Sequence, residues 1–180
     1  MKSVLVLFAD GSEELEAITV VNVLRRAGVS VTLAGLEEGA LRGSRGVMLM
    51  PDKTLDDVFL EEFDMVVLPG GQPGTNHLKQ DQRVLAMVQR MEKQGKQVAA
   101  ICAAPSVLAA AGLLDGKQAT SFPGALDPYT KVKKLHTAIV EDGNIITSRG
   151  PGTAMDFALT LAERLTGSAK RQEVEAGLQR

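Results

Sequence analysis

The sequence has little of what would tie it to a membrane, an oxidising compartment or a nucleic acid. Its 180 residues include a single cysteine, so no internal disulfide can form, and a reducing cytoplasm fits that usage best. No apolar run approaches the roughly 20 residues that a bilayer crossing needs, and the apolar run at residues 4–9 is too short for a secretory signal. Twenty basic and twenty-two acidic residues leave a formal charge of −2, so the chain lacks the excess of positive charge that binds nucleic acid. We therefore expect a cytoplasmic protein with no membrane and no nucleic-acid partner.

Residues that bind metals and cofactors are also scarce. The chain has two histidines, His77 and His136, and we expect both at the surface. Histidine, cysteine and acidic residues do not recur at the spacing of metal ligands, so no metal is predicted. The glycine-rich stretch 69–74 lacks the Lys-Ser/Thr ending of a phosphate-binding P-loop, and no cofactor is predicted.

What the chain does contain is an alternation of strand-length apolar runs and amphipathic helices. Hydrophobic residues make up 44% and charged residues 23%, which are ordinary values for a globular domain, and the absence of repeats and linkers predicts one domain over 1–180. The patterns predict strands at 4–8, 30–34, 65–68 and 97–101, hairpins within 40–50 and 136–148, and helices from about 13 to 28, at 81–94, 153–165 and 169–178. This rhythm is typical of a three-layer α/β sandwich with a mostly parallel central sheet.

The first predicted helix begins in a run of glutamates. Glu13, Glu14 and Glu16 crowd its first turn, where acidic groups complement the helix dipole, and a solvated cap is the plain interpretation of all three. The apolar residues of this helix recur with a spacing near 3.6: Leu15, Ile18, Val21 and Leu24.

The single cysteine occupies a position where α/β proteins gather their functional groups. Cys102 follows the predicted strand 97–101 directly, and Pro105 suits the first turn of a helix behind it. The chain has to turn sharply there, which brings the thiol near unpaired backbone N–H groups and the positive end of a helix. Both favour the thiolate, which is the reactive form. A small buried hydrophobe remains the alternative interpretation of Cys102 on these grounds.

Four short motifs occur in a fixed order along nearly the whole chain: GSEELE (11–16), LPGG (68–71), AAICAAP (99–105) and TSRGPGT (147–153). Together they resemble the ThiJ/PfpI superfamily, specifically the branch that holds the parkinsonism-associated deglycase and its bacterial YajL-like relatives. The resemblance implies a flavodoxin-like fold, a homodimer, and an easily oxidised cysteine on a strained elbow.

The resemblance also implies roles for individual residues. Cys102 takes the position of the nucleophile, and Glu16 that of the carboxyl beside it. Gly71 and Ala103, with Gly70 next to them, take the positions whose backbone lines the pocket and holds an oxyanion. Three further residues fall at or near that pocket, partly across the dimer interface: Arg26, Arg45 and Pro151.

A carboxyl group beside a thiol has a direct physical consequence. Two like charges in contact disfavour each other, so Glu16 and Cys102 are expected to share a proton and titrate as a unit. We expect a protonated Glu16 that donates a hydrogen bond to an ionised Cys102.

Two positions depart from related patterns. The protease-like branch of the superfamily has a histidine directly after the cysteine, where this chain has Ala103, so a cysteine protease is not expected. The human-type members carry a pocket histidine where this chain has Phe122, which leaves Glu16 as the main candidate for proton transfer.

Two functions from different classes follow. The leading one is a cofactor-independent glyoxalase or deglycase, in which Cys102 attacks methylglyoxal or glyoxal adducts of thiols and amines and so protects against carbonyl and oxidative stress. The alternative is a redox-responsive stress protein or chaperone with little true turnover, in which peroxide oxidises the same thiolate to sulfenate and then sulfinate. The number of substrate molecules consumed per Cys102 separates the two functions.

Overall fold

The computed structural model describes residues 1–180 and is organised around one seven-stranded sheet. The strands are β1 (Ser3–Phe8), β2 (Ser30–Gly35), β3 (Leu41–Arg42), β4 (Met48–Leu49), β5 (Lys53–Thr54), β6 (Met65–Leu68), β7 (Gln97–Ile101), β8 (Gln118–Ala119), β9 (Lys133–Lys134), β10 (Ile139–Asp142) and β11 (Ile145–Ser148). The helices are α1 (Glu14–Arg26), α2 (Leu55–Val58), α3 (Gly74–Gln80), α4 (Gln82–Lys93), α5 (Pro105–Ala110), α6 (Ala154–Thr166) and α7 (Ser168–Gly177), with a 3-10 turn at Pro151–Thr153. None of these helices has both the length and the apolar character needed to cross a bilayer.

The main sheet is almost entirely parallel, as predicted. Its strand order is β10-β11-β7-β6-β1-β2-β5, and only the β10–β11 pair at one edge is antiparallel. The short pairs β3–β4 and β8–β9 lie outside it. Since β2 pairs on one side of β1 and β6 on the other, the order of the sheet reverses at β1. In open α/β sheets the carboxyl ends of the strands beside such a reversal form the usual binding crevice.

Helices cover both faces of the sheet, which confirms the three-layer sandwich. Along β1 the side chains alternate between two hydrophobic clusters, and every residue from Val4 to Phe8 is fully buried. Val4, Val6 and Phe8 pack with α1 and α6 on one face, whereas Leu5 and Leu7 pack with α4 and α5 on the other. Burial on both faces is the reason that this strand is an unbroken apolar run rather than an alternating one.

The helix α1 buries only half of the stripe that its apolar spacing indicates. Val21 and Leu24 are buried, whereas Leu15 and Ile18 are 49% and 39% exposed, and the buried side includes the carboxylic acids Glu14 and Glu16. The start of the helix is inserted among the loops at the carboxyl edge of the sheet, where backbone N–H groups are available to those acids. The solvated-cap interpretation of Glu14 and Glu16 was therefore wrong.

Most of the predicted boundaries agree with the structure to within about a residue. Two boundaries differ by more: the strand predicted from His136 begins only at Ile139, and α1 ends at Arg26 rather than near residue 28. The sequence patterns also do not predict α3, whose glycine-rich start conceals it, or the short elements α2, β5, β8 and β9.

Candidate active site

Cys102 lies at a sharp turn directly after β7. Its φ of 65° is in the left-handed region, which costs a residue other than glycine of the order of 1–3 kcal/mol. Two backbone hydrogen bonds hold the turn: the Cys102 N–H donates to the Ser148 carbonyl at 3.0 Å, and the Cys102 carbonyl accepts from the Phe122 N–H at 2.7 Å. The strained backbone is thus fixed by the neighbouring strand on one side and by a surface loop on the other.

The thiol lies under two backbone N–H groups at the carboxyl edge of the sheet. Cys102 is 8% exposed, and the backbone N–H groups of Gly71 and Ala103 lie close enough to its sulfur to lower the thiol pKa. Both groups favour a negative charge at this position, either on the sulfur or on an oxygen atom that forms beside it.

Gly70 has a different role from the one the family positions imply. Its N–H is already engaged, since it donates to Glu16 Oε2 at 2.7 Å, and its carbonyl accepts from the Glu13 N–H at 2.8 Å. A Cβ atom at Gly70 would lie 2.6 Å from the Cβ atom of Cys102, so only glycine permits this approach. Gly70 therefore positions the carboxyl group and the thiol and is not free to hold an oxyanion.

The carboxyl group of Glu16 is fully buried in the first turn of α1 and faces the thiol. Oε2 accepts the Gly70 hydrogen bond, while Oε1 is buried without a hydrogen-bond partner. A buried polar atom without a partner is costly. A proton on Oε1 satisfies that atom when it is donated to the sulfur of Cys102, which is why this geometry favours a shared proton.

Burial dominates the titration of both groups. It raises the pKa of Glu16 to about 7, against the lowering effect of the Gly70 N–H. Burial, together with the charge of Glu16, raises the pKa of Cys102 to about 12 and outweighs the N–H groups of Gly71 and Ala103. The backbone N–H groups act in the expected direction and lower the thiol pKa, but burial and the neighbouring carboxyl group act against them. The pair loses its first proton near neutral pH and keeps the second, so that one negative charge is shared between carboxyl and thiol.

A pocket of about 360 Å³ opens from the thiol to solvent. Of the residues that sequence reasoning singled out, Cys102, Gly71, Ala103, Arg45 and Pro151 line it. The remaining lining residues are Glu13, Ser44, Gln72 and Phe122. Phe122 drew attention only as a departure from the family. The sequence indicates Glu13 only as part of the cap of α1. Nothing in the sequence marks Ser44 and Gln72 except that they adjoin Arg45 and Gly71.

Arg26 does not reach this pocket within one chain. It ends α1, ten residues and so about 15 Å along the helix from Glu16. Its guanidinium donates to Asn22 Oδ1 at 2.9 Å and lies beside a separate shallow depression on the outer face of α1.

The loop that carries Arg45 is fastened to the start of α1. The N–H groups of Arg45 and Val47 donate to Glu14 Oε1 at 2.9 and 3.3 Å. Burial opposes the ionisation of Glu14, but these hydrogen bonds hold its pKa below the ordinary value. Ser44 Oγ donates to Glu13 Oε2 at 2.6 Å. One wall of the pocket is therefore built on two carboxylates of the helix, and the exposed Arg45 side chain stands at its rim.

The two histidines lie away from this pocket. His77 Nδ1 is 2.9 Å from the Asp10 carbonyl oxygen, at the edge of another cavity, and His136 is exposed. No three or more histidine, cysteine or acidic residues come together in an arrangement that could hold a metal ion.

The chain is similar over nearly its whole length to proteins of known structure. A model of the DJ-1/PfpI family matches residues 2–164. The Drosophila melanogaster protein dj-1beta is 48% identical over 98% of this chain and 96% of its own length, and its crystal structure superimposes with a TM-score of 0.95. A Caenorhabditis elegans protein named glutathione-independent glyoxalase DJR-1.2 is 36% identical over 94% of this chain and 91% of its own length. The structure of oxidized Toxoplasma gondii DJ-1 covers 99% of this chain and 98% of its own, with 36% identity and a TM-score of 0.96.

The shared proton predicts how the alkylation of Cys102 depends on pH. In the unaltered protein the rate with iodoacetamide is expected to rise with a midpoint near pH 7, where the pair loses its first proton. Glu16→Leu removes the carboxyl that shares the proton, so the thiol titrates alone against the burial that raises its pKa, and the midpoint moves up by at least one pH unit. Glu16→Gln keeps a donor and falls between the two. Because the chain has one cysteine, the label reports on this site alone. An unchanged midpoint in Glu16→Leu would contradict the coupling.

The raised pKa of Glu16 also predicts a dependence of stability on pH. Below pH 4.5 this carboxyl is protonated in both the folded and the unfolded chain, and above pH 7 the fold has to bury its charge. Glu16→Gln avoids that cost, so its advantage in free energy of unfolding is expected to grow from near zero at pH 4 to about 3 kcal/mol at pH 8. Urea unfolding at each pH measures it, with the exposed Glu38→Gln as control. A difference that stays constant with pH would refute a buried, protonated Glu16.

Proposed function

The chain belongs to the DJ-1/PfpI family, and on that premise we propose that it is a cofactor-independent glyoxalase or deglycase-type enzyme with Cys102 as its nucleophile. Its substrates are methylglyoxal or the glyoxal adducts of thiols and amines. The observation that carries the proposal is the contact of Cys102, which lines an open pocket, with the carboxyl of Glu16, which is fully buried behind it. The C. elegans relative named as a glutathione-independent glyoxalase supports the same substrate class.

The first step is attack on the aldehyde carbon. The sulfur of Cys102 forms a C–S bond while the carbonyl π electrons move to oxygen. The N–H groups of Gly71 and Ala103, which already lie close to the sulfur, are suited to hold that oxygen. The carboxyl of Glu16 then gives its proton to the oxygen, and the product is a neutral hemithioacetal.

The second step moves protons within the bound substrate. The Glu16 carboxylate removes the hydrogen on the former aldehyde carbon, and the electron pair of that C–H bond moves toward the neighbouring ketone oxygen to give an enediolate. The Glu16 carboxyl then returns the same proton to the neighbouring carbon. The hydroxyl proton on the former aldehyde carbon passes to the alkoxide oxygen of the neighbouring carbon as the carbonyl of a thioester forms. Water hydrolyses the thioester, restores the thiol and releases lactate, so methylglyoxal plus water gives lactic acid with no external oxidant or reductant. A carboxyl with a pKa of about 7 can both donate and accept a proton near neutral pH.

A redox-responsive role is the second candidate, and the same contact favours it. Peroxide oxidises the Cys102 thiolate by two electrons to sulfenate and is itself reduced, and a second equivalent gives sulfinate. A protonated Glu16 would donate a hydrogen bond to either oxidised form. The structural relative from T. gondii, described as oxidized, supports this candidate.

We also propose that the protein works in the cytoplasm as a homodimer whose interface includes the outer face of α1. Leu15 and Ile18 form an exposed apolar stripe there, and Val47 on the Arg45 loop is 52% exposed close by. The shallow depression beside Arg26 continues the same face. A partner seated on it would cover these side chains and bring its own groups toward the pocket.

Turnover tests the catalytic proposal. Purified protein incubated with methylglyoxal is expected to form many moles of lactate per mole of Cys102, and Cys102→Ser to form none. Glu16→Gln is expected to lose at least a hundredfold in kcat, because general acid–base groups contribute about that much. One equivalent or less of lactate, with Cys102 modified by mass spectrometry, would refute the enzyme and favour the redox role.

Hydrodynamic mass tests the dimer. Sedimentation velocity is expected to give twice the mass of the 19.1 kDa chain, and Ile18→Glu to give the monomer, since a charge on this stripe would be buried without a partner. Leu60→Glu, at an 85% exposed leucine elsewhere, is the matched control and stays dimeric. A monomeric unaltered protein would refute the proposal.

A further inference from the structure

One wall of the pocket is an aromatic ring that the reaction steps do not use. Phe122 is 50% exposed, whereas Phe8 and Phe157 are fully buried in the core. Its backbone N–H donates to the carbonyl oxygen of Cys102 at 2.7 Å, so the residue is tied to the nucleophile itself. A Cβ atom on Gly150 would lie 3.5 Å from ring atom Cδ2, which places the ring in contact with the turn before Pro151.

The pocket therefore has two chemically different sides. Glu13, Ser44 and the rim residue Arg45 line one of them with polar groups. Phe122 and Pro151 line the other with apolar surface. A substrate whose reacting carbonyl lies at Cys102 has its substituent directed out of the pocket, along one of these two walls.

We propose that Phe122 determines specificity and that the pocket selects carbonyl substrates with an aryl or extended apolar substituent, for which phenylglyoxal is the probe. This inference rests on the proposed function for its chemistry, because the substituent is assigned to a glyoxal. The steps balance as for methylglyoxal: phenylglyoxal plus water gives mandelic acid, through the same C–S bond and the same proton transfers.

The size of the pocket and the aromatic ring of Phe122 both favour a large apolar substituent. A cavity of about 360 Å³ is at the low end of the range for sites that enclose small organic ligands, and it is much larger than a single methyl substituent needs. A methyl group covers little of the Phe122 ring, whereas a phenyl group can stack against it in an offset or edge-to-face arrangement. Apolar contacts of this size change discrimination by roughly tenfold or more.

The first test compares kcat/KM for phenylglyoxal and methylglyoxal, taken from initial rates before arginine residues are modified. Phe122→Ala is expected to lower the ratio of phenylglyoxal to methylglyoxal about tenfold, and Phe122→Leu to lower it less. Leu60→Ala, which truncates an exposed leucine outside the pocket, is the control and leaves the ratio unchanged. A change in the ratio, rather than in either rate alone, separates specificity from a general loss of structure.

The second test needs no turnover. Iodoacetanilide and iodoacetamide alkylate the single cysteine by the same chemistry and differ by one phenyl ring. With both rates normalised to their reactions with glutathione, the unaltered protein is expected to prefer iodoacetanilide about tenfold, and Phe122→Ala to lose most of that preference.

The two tests distinguish the failure of this inference from the failure of the proposed function. If neither aldehyde is consumed but the alkylation preference is present and depends on Phe122, the glyoxalase proposal fails and the aryl-selective pocket stands. If aldehydes turn over and both ratios in Phe122→Ala stay within twofold of the unaltered protein, the inference is overturned.

Discussion

The hydrogen bond from the Gly70 N–H to Glu16 Oε2 is the contact on which the rest of the site depends. It joins the segment after β1 to the segment after β6, and the Glu16 carboxyl joins both to Cys102 at the end of β7. Three strand ends are thereby brought to one point. Desolvating a carboxyl group costs several kcal/mol unless it is protonated or paired. The fold offsets this cost with one backbone donor, and the other oxygen is left to meet the sulfur.

A second energetic cost comes from the strained backbone of Cys102. Cys102 keeps its left-handed conformation because the Ser148 carbonyl and the Phe122 N–H hold it from both sides. Ser148 belongs to β11, which pairs in parallel with β7, so the sheet itself is what supports the strain. Gly70 contributes by lacking a side chain where one would strike the Cys102 Cβ atom. Strain and desolvation are tolerated here because the two hydrophobic clusters on either face of the sheet supply the stability.

Sequence reasoning was sufficient for the framework and insufficient for the chemistry within it. The apolar run of β1 and the strand before Cys102 predict a parallel sheet, because a strand buried on both faces consists almost entirely of apolar residues. The end of the second strand also predicts where the functional edge of the sheet lies. The burial of Glu16 leaves no such trace, since three glutamates in one first turn look alike, and only tertiary contacts distinguish them. The balance between burial and backbone donors that sets the Cys102 pKa is likewise a property of distances. The outer face of α1, with its exposed Leu15 and Ile18, shows that a 3.6-residue spacing marks an apolar stripe without saying what it faces.

In the proposed enzyme, the shared charge and the shape of the pocket act on different parts of the reaction at one thiol. A single negative charge on the Glu16–Cys102 pair leaves the sulfur partly protonated at neutral pH, so peroxide and a carbonyl substrate meet the same fraction of thiolate. A substrate that binds the pocket walls stays near the sulfur, which raises the effective concentration of its carbonyl group there and so the rate of attack. Peroxide is too small to gain the same rate increase from the walls. In the proposed reaction, Glu16 donates its proton to the alkoxide that forms when the sulfur attacks that carbonyl. Under the proposed function, selectivity between carbonyl substrates and peroxide thus comes from the pocket surface, which Arg45 and Phe122 both line, and only the charge is set by the buried pair.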